Sequence, residues 1–198
     1  MTYKHILFVF LTLCGGVLYH FGAEWVLGIT PIYIVASLVF LLKKQQFSKK
    51  HSTILIAAGV IGYFSEIIGV HTGLLYGSYA YGNTLGPKLL GVAILLFVMW
   101  VFVPISMYSV IPHNTKWLPF IAGAGAVMYD IPLEHFATRF GLWSWQGSIP
   151  VSNFLTWFIV TSLIVFMFRK YSLPKSNTMD ALVVLCTHIV FFITLILL

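Results

Sequence analysis

The sequence predicts an all-α fold: a polytopic integral membrane bundle of about seven transmembrane helices with a duplicated helix-hairpin core. Three observations predict it. The 198 residues are 60% hydrophobic and only 8% charged, and their mean hydropathy of +0.96 is far above that of a soluble domain. Apolar runs long enough to cross ~30 Å of hydrocarbon recur along the chain. Two of the segments between them also repeat one another.

In chain order the runs fall near residues 5–22, 25–42, 53–70, 89–111, 117–138, 151–169 and 179–198, and residues 1–198 read as a single transmembrane domain. The first run, MTYKHILFVFLTLCGG, has the charged start and short apolar stretch of a signal peptide, with Cys14 placed as at a lipoprotein cleavage site. Leu13 stands where a small residue is wanted, so a retained helix is expected. Before the second run, Glu24 occupies the turn ahead of Trp25, which reads as an interfacial anchor, and Glu24 is expected near water. Cys14 and Cys186 lie inside spans and read as packing residues.

Orientation follows from lysine and arginine, which are retained in the cytoplasm. With the N-terminus inside, Lys4, Lys43, Lys44, Lys49, Lys50, Lys116, Arg169, Lys170 and Lys175 are cytoplasmic, nine of the 11 basic residues, leaving Lys88 and Arg139 outside. The net charge of +6 is then a topology signal and a contact with anionic headgroups of the lipid bilayer. No aromatic-interleaved basic domain points to nucleic acid. The expected location is the cell membrane, with the functional site toward its outer half.

That site is predicted from the acids. Asp180 opens the last helix from the inside, whereas Glu24, Glu66, Asp130 and Glu134 fall at or near the outer half. A carboxylate near mid-bilayer costs ~2.5 to 3.5 kcal/mol on insertion scales, so it faces a bundle interior, as a helix-to-helix hydrogen bond or as a working group.

The third to sixth runs carry the repeat. EIIGVHTGLLYGSYAY, from Glu66 to Tyr81, aligns without a gap on DIPLEHFATRFGLWSW, from Asp130 to Trp145. Glu66 pairs with Asp130, Ile67 with Ile131, His71 with His135, Gly77 with Gly141, Tyr79 with Trp143 and Tyr81 with Trp145. Gly59 and Gly123 precede the two acids equally, and Phe97 and Trp100 match Phe154 and Trp157 further on. Each unit is a helix ending in an acid, an aromatic outer loop and a returning helix. Hairpins over approximately 53–111 and 117–169 would then be parallel repeats about a two-fold axis along the membrane normal.

Such an axis would let Glu66 and Asp130 face each other. Like charges confined away from water do not both ionise, so one carboxyl would keep its proton, an acid beside a base. Tyr76, Tyr79, Tyr81, Trp100, Trp143, Trp145 and Trp157 could present ring faces that stabilise a cation, or form an interfacial belt. Pro132 predicts a kink or break at Asp130. The spacing of four would put Glu134 on the face of Asp130 if the helix continues past Pro132, making Glu134 the second carboxylate; the alternative is a partly exposed pair with Arg139. Asn153 could hold a water or cap its helix. His71 and His135 could tune or shuttle protons.

Absences narrow the function. The last helix has no lysine for a retinal Schiff base, and no HxxH cluster, GxSxG, HExxH or phosphate loop occurs in the required context. No metal site is expected.

The same residues carry a resemblance. The run from Glu66 to Tyr81, LGV at Leu90 to Val92, Asp130, GLWSW at Gly141 to Trp145 and IPVSNF at Ile149 to Phe154 ahead of Trp157 make the chain similar to the bacterial and archaeal membrane family of carotenoid hydratases, over roughly residues 55–170. Ala93 replaces a proline of that pattern and Thr156 a glycine. The resemblance implies a hydro-lyase that adds water to the terminal 1,2 double bond of an acyclic carotenoid, such as lycopene, without a cofactor. Glu66 and Asp130 would be the acid and base, with His71 and His135 assisting and the aromatic residues and Asn153 binding substrate. The rival readings are a carotenoid end-group cyclase, a proton-coupled transporter and a carotenoid or lipid binder.

Overall fold

A computed structural model describes residues 3–22, 24–43 and 45–197, without the side chains of His20 and Glu24. The sequence readings of the Glu24 side chain and of Lys44 therefore lie outside the described residues. Among the described residues there are seven α-helices: α1 (Tyr3–His20), α2 (Thr30–Leu42) after a 3-10 turn at Glu24–Ile29, α3 (Lys49–Thr72), α4 (Leu95–Val110), α5 (Leu118–Arg139), α6 (Val151–Lys170) and α7 (Thr178–Leu197). The molecule is a helical membrane bundle. The stretch Trp25–Leu42 and helices α3, α6 and α7 are each long and apolar enough to cross a bilayer.

Helix α4 forms the centre. Thirteen of its 16 residues are buried, from Leu95 to Ser109, because α2, α3, α5, α6 and α7 all pack against it. A helix apolar on every side suits such a central position. Its closest partnership is with α3, as α5's is with α6. Lipid removes most of the hydrophobic drive for helix association, so close approach at small residues has to supply the contact. Gly59 and Gly62 of α3 admit the rings of Phe97 and Trp100, and Gly123 of α5 admits the backbone of Phe158. Leu7, Phe64, Phe120 and Phe166 point away from the bundle, exposed, as a lipid-facing surface requires.

Helix ends follow local chemistry. Ser48 caps α3 by accepting from the His51 N–H, while His51 Nδ1 accepts from the Ser48 N–H. Gly73, at φ 68°, ends the same helix. Pro132 does not break α5, contrary to the sequence expectation: the helix runs through it to Arg139. Its neighbours Met128 and Ile131 are 71% and 45% exposed, so the ring has room on the outer flank and the helix loses one hydrogen bond without ending.

The segments between helices contain strands that the sequence reading treated as loops. Lys88–Leu89 (β2) and Val92–Ala93 (β3) form a hairpin whose turn residues, Leu90 and Gly91, have φ of 52° and 79°, the backbone of a two-residue primed turn. Residues 89–94 therefore precede α4, which begins at Leu95. Tyr79–Tyr81 (β1) pairs antiparallel with Trp143–Trp145 (β4), in the register Tyr79 to Trp145, Ala80 to Ser144 and Tyr81 to Trp143. That crossed register is what a local two-fold axis through the Ala80 and Ser144 pair generates.

The opposite end of the bundle is basic. Arg169 donates to the carbonyls of Thr115 and Lys116, Lys175 donates to that of Ile111, and Lys50 lies over the Tyr171 ring. A buried pair between His5 and Asp180, 2.6 Å apart, joins α1 to α7.

Candidate active site

Helix α3 carries Glu66 into the bundle, where the side chain is 3% exposed. One oxygen, Oε2, accepts hydrogen bonds from the hydroxyls of Tyr79 at 2.5 Å and Tyr81 at 2.7 Å; Oε1 accepts from the Trp100 indole at 3.0 Å. The tyrosines are alternate residues of β1, so both project from the same face of the strand. Burial, and then the charge of Glu66, push both hydroxyls up from the ordinary tyrosine value, so they remain protonated donors. Trp100 reaches the carboxylate because α3 has glycine opposite it: a Cβ at Gly62 would lie 2.0 Å from the indole ring.

Glu134 is held in a matching way by the other strand. Its Oε2 accepts from the indoles of Trp143 at 2.9 Å and Trp145 at 2.8 Å. Its Oε1 accepts from the Asn153 amide at 3.2 Å, and the same nitrogen donates to Asp130 Oδ2 at 2.7 Å. The two amide protons thus tie two carboxyl groups of α5 to α6. Asp130 Oδ1 is buried and has no hydrogen-bond partner among the described residues.

The expected Glu134 and Arg139 pair is not formed. Five residues of helix place the two about 140° apart around the axis; Glu134 is 2% exposed, and Arg139 donates to the Ile196 carbonyl at the end of α7. Nor does Asn153 cap α6, which starts at Pro150 without a side-chain cap.

Glu66 and Glu134 line one small cavity of about 10 Å³, together with Tyr76, Tyr79, Tyr81, Leu96, Trp143, Trp145, Asn153 and Trp157. Of the aromatic residues singled out in the sequence, only Trp100 stands behind the wall, stacked on Trp157 at 4.5 Å. Tyr76 turns its hydroxyl to Ser65 Oγ at 2.7 Å, while Ser65 donates to the Gly62 carbonyl. Asp130 sits behind Asn153, outside the cavity wall, so the second carboxylate facing the cavity is Glu134.

The structure does not bring the two histidines to the site. His71 and His135 are exposed, with Nδ1 at 2.9 Å from the Ile67 carbonyl and 2.8 Å from the Ile131 carbonyl, each four residues back on its own helix. Leu96 carried no sequence signal. Among the described residues no three His, Cys, Asp or Glu side chains converge as metal ligands. The site therefore presents two hydrogen-bonded carboxyl groups among electron-rich rings, an arrangement suited to moving a proton and shielding a cation.

A family model described as carotenoid biosynthesis protein matches residues 23–198. Bisanhydrobacterioruberin hydratase of Haloarcula japonica is 28% identical over 126 residues, covering 58% of this chain and 43% of that protein. The chain thus spans less than half the length of this relative. No solved structure matches. Since the family match takes in all the helices from α2 to α7, together with both carboxyl groups and the ribbon that holds them, the chain belongs to the carotenoid biosynthesis protein family.

Proposed function

We propose that this chain is a hydratase that adds water across the terminal 1,2 double bond of an acyclic carotenoid end group. The observation that carries the reading is that Glu66 and Glu134 open into one aromatic-walled cavity.

Asp130 and Glu134 converge on one amide nitrogen; two buried carboxyl groups this close do not both ionise, and we assign the pair as the acid, with Glu134 the member that faces the cavity. Proton transfer to the less substituted alkene carbon breaks the π bond and leaves a tertiary cation. The ring faces of Tyr79, Tyr81, Trp143 and Trp145 stabilise it. Glu66, fixed by three donors, orients a water; the water oxygen bonds to the cation, and Glu66 accepts the proton that this water releases. Return of that proton to the pair resets the site, and the sum is addition of one water. Asn153 is a positioning residue.

The crossed register of β1 and β4 supports a duplication of the α3–α4 and α5–α6 hairpins. Gathering of basic residues at the opposite end favours the acid cavity on the outer side of the cell membrane.

The test is expression in a bacterium that accumulates lycopene or γ-carotene, with the pigments analysed by mass. A product heavier by one water is expected. A product of unchanged mass would replace hydration by cyclisation, and unaltered pigment in cells holding the inserted protein would remove the reading.

A further inference from the structure

A second cavity, larger than the acid cavity, lies on the other side of Trp143. Its volume is about 140 Å³, between α1, α2, α4, α5 and α7, and Tyr33, Met99, Tyr129, Leu133, Phe136 and Trp143 form much of its wall. From Tyr129 to Phe136 it follows two turns of α5, about 10 Å along the helix axis.

The polar atoms of Ser37, Tyr129 and His188 beside this cavity are committed to one another. Ser37 Oγ donates to the Tyr33 carbonyl at 2.8 Å, so its only proton is used. His188 Nε2, 3.0 Å from Ser37 Oγ, must then be the donor in that contact. With its proton on Nε2, a neutral His188 accepts at Nδ1 from the Tyr129 hydroxyl, 2.9 Å away. On the other side Thr12 Oγ1 is placed to donate to the Phe8 carbonyl at 2.9 Å and to the Tyr33 hydroxyl at 3.0 Å. Every proton of Ser37, Tyr129 and His188 is spent within the protein. What they turn toward the cavity is ring face and hydrocarbon: the Tyr33 and His188 rings stack at 4.6 Å, and His188 lies 5.1 Å from Phe102. A polar ligand would find no free donor in this cluster, whereas a flat conjugated chain would find polarisable faces.

Trp143 is shared. It lines this cavity and the acid cavity alike, and its indole donates to Glu134. We infer that the apolar cavity between α1, α2, α4, α5 and α7 is the binding site for the polyene chain of the substrate, with Trp143 the wall that chain must pass to set its end group between Glu66 and Glu134. The inference rests on the hydratase reading for which end reacts, but not for what the cavity binds.

The test separates the two. The full chain is purified in detergent from lycopene-accumulating cells, and retained polyene per protein is read from visible absorbance and from the mass spectrum of the extract. Gly15→Leu fills the cavity: Gly15 lines it, and a Cβ there would meet only Val26 Cγ1 at an ordinary 3.7 Å. Met99→Phe fills it from α4. Leu13→Phe adds bulk to the exposed flank of α1. The same set is made in a Glu66→Gln, Glu134→Gln background in which no reaction is expected.

In both backgrounds the expected result is retained polyene, lost at least fivefold in Gly15→Leu and Met99→Phe and kept in Leu13→Phe. This pattern without any hydrated product in the catalytic background would sustain the cavity and sink the hydratase. Hydrated product with undiminished retention in both filled variants would do the reverse. Retention of phospholipid acyl chains in place of polyene, or of no polyene at all, overturns the inference.

Discussion

Glu66 and Glu134 are gripped alike, each through its Oε2 by two alternate residues of one strand, and the two strands are paired: Tyr79 and Tyr81 hold the first, Trp145 and Trp143 the second. The ribbon therefore sets the position of both carboxyl groups, although they arise from α3 and α5. Four donors from one rigid element fix them more narrowly than separate loops would, and preorganisation of this kind is where enzymes gain most of their electrostatic advantage.

Removing either carboxylate should abolish turnover without removing the fold. Glu66→Gln and Glu134→Gln keep size and most hydrogen bonding, and loss of a general acid or base costs about 10²- to 10⁴-fold. Pigment conversion at matched amounts of inserted protein reads the effect. A rate near that of the wild type in either variant would take that residue out of the chemistry.

Asp130 and Asn153 should separate by phenotype. Asp130→Asn alters a group outside the cavity wall and is expected to cost less activity than Glu134→Gln. Asn153→Ala leaves Asp130 Oδ2 without its donor and Glu134 Oε1 without one of its contacts, and an unsatisfied buried polar atom costs about 1 to 3 kcal/mol. Thermal unfolding in detergent should show Asn153→Ala as the less stable protein. Equal stability of Asn153→Ala and the wild type would mean that the bridge contributes nothing.

The apolar runs made the helical bundle legible, and the matched aromatic offsets pointed to residues that line the cavity, because a period of apolar residues and a matched offset are local signals. The pairing partner within the site was not. Alignment set Asp130 opposite Glu66, but aligned positions share a depth, not a direction, and one helical turn further on Glu134 is the residue aimed at the ribbon. The spacing of four contained that answer. Its reading depended on whether Pro132 ended the helix, which tertiary room around the ring decided. The histidines misled for a similar reason: their symmetric offset reflects two equivalent helix ends, where each ring bonds its own backbone.

His71→Ala and His135→Ala should therefore leave conversion within about twofold: each ring bonds its own helix backbone, and His135 borders the cleft beside Trp145 without a bond to either carboxyl group. The same pigment assay decides it. A tenfold loss in both would return proton shuttling to the outer surface.

Packing against Glu66 should be as sensitive as its chemistry. Gly62→Ala places a methyl group 2.0 Å from the Trp100 ring, and overpacking of this kind costs about 1 to 3 kcal/mol. Trp100→Phe deletes the 3.0 Å bond to Glu66 but keeps the Cγ and Cβ that the added methyl would meet at 2.0 and 2.4 Å. Both should lower activity, and the double variant should recover no stability over Gly62→Ala alone. Unfolding temperatures of the three proteins test this; recovery in the double variant would show that the indole's second ring, not the root of the side chain, makes the contact.

The two tryptophans on Glu134 make the sharpest comparison. Trp143→Phe and Trp145→Phe each delete one indole donor to the same oxygen, so any effect through Glu134 should be shared. Their surroundings differ: Trp143 backs onto the apolar cavity, whereas Trp145 also lines an open cleft with Thr138, Ser144 and Ser148. Water has a polar approach on the second side and none through the first. Trp143→Phe should then lower polyene retention, while Trp145→Phe leaves retention intact and raises the ratio of hydrated product to isomerised alkene among the molecules that react. Identical changes in both quantities for the two variants would mean that the indoles act on Glu134 alone and that the cleft plays no part in admitting water.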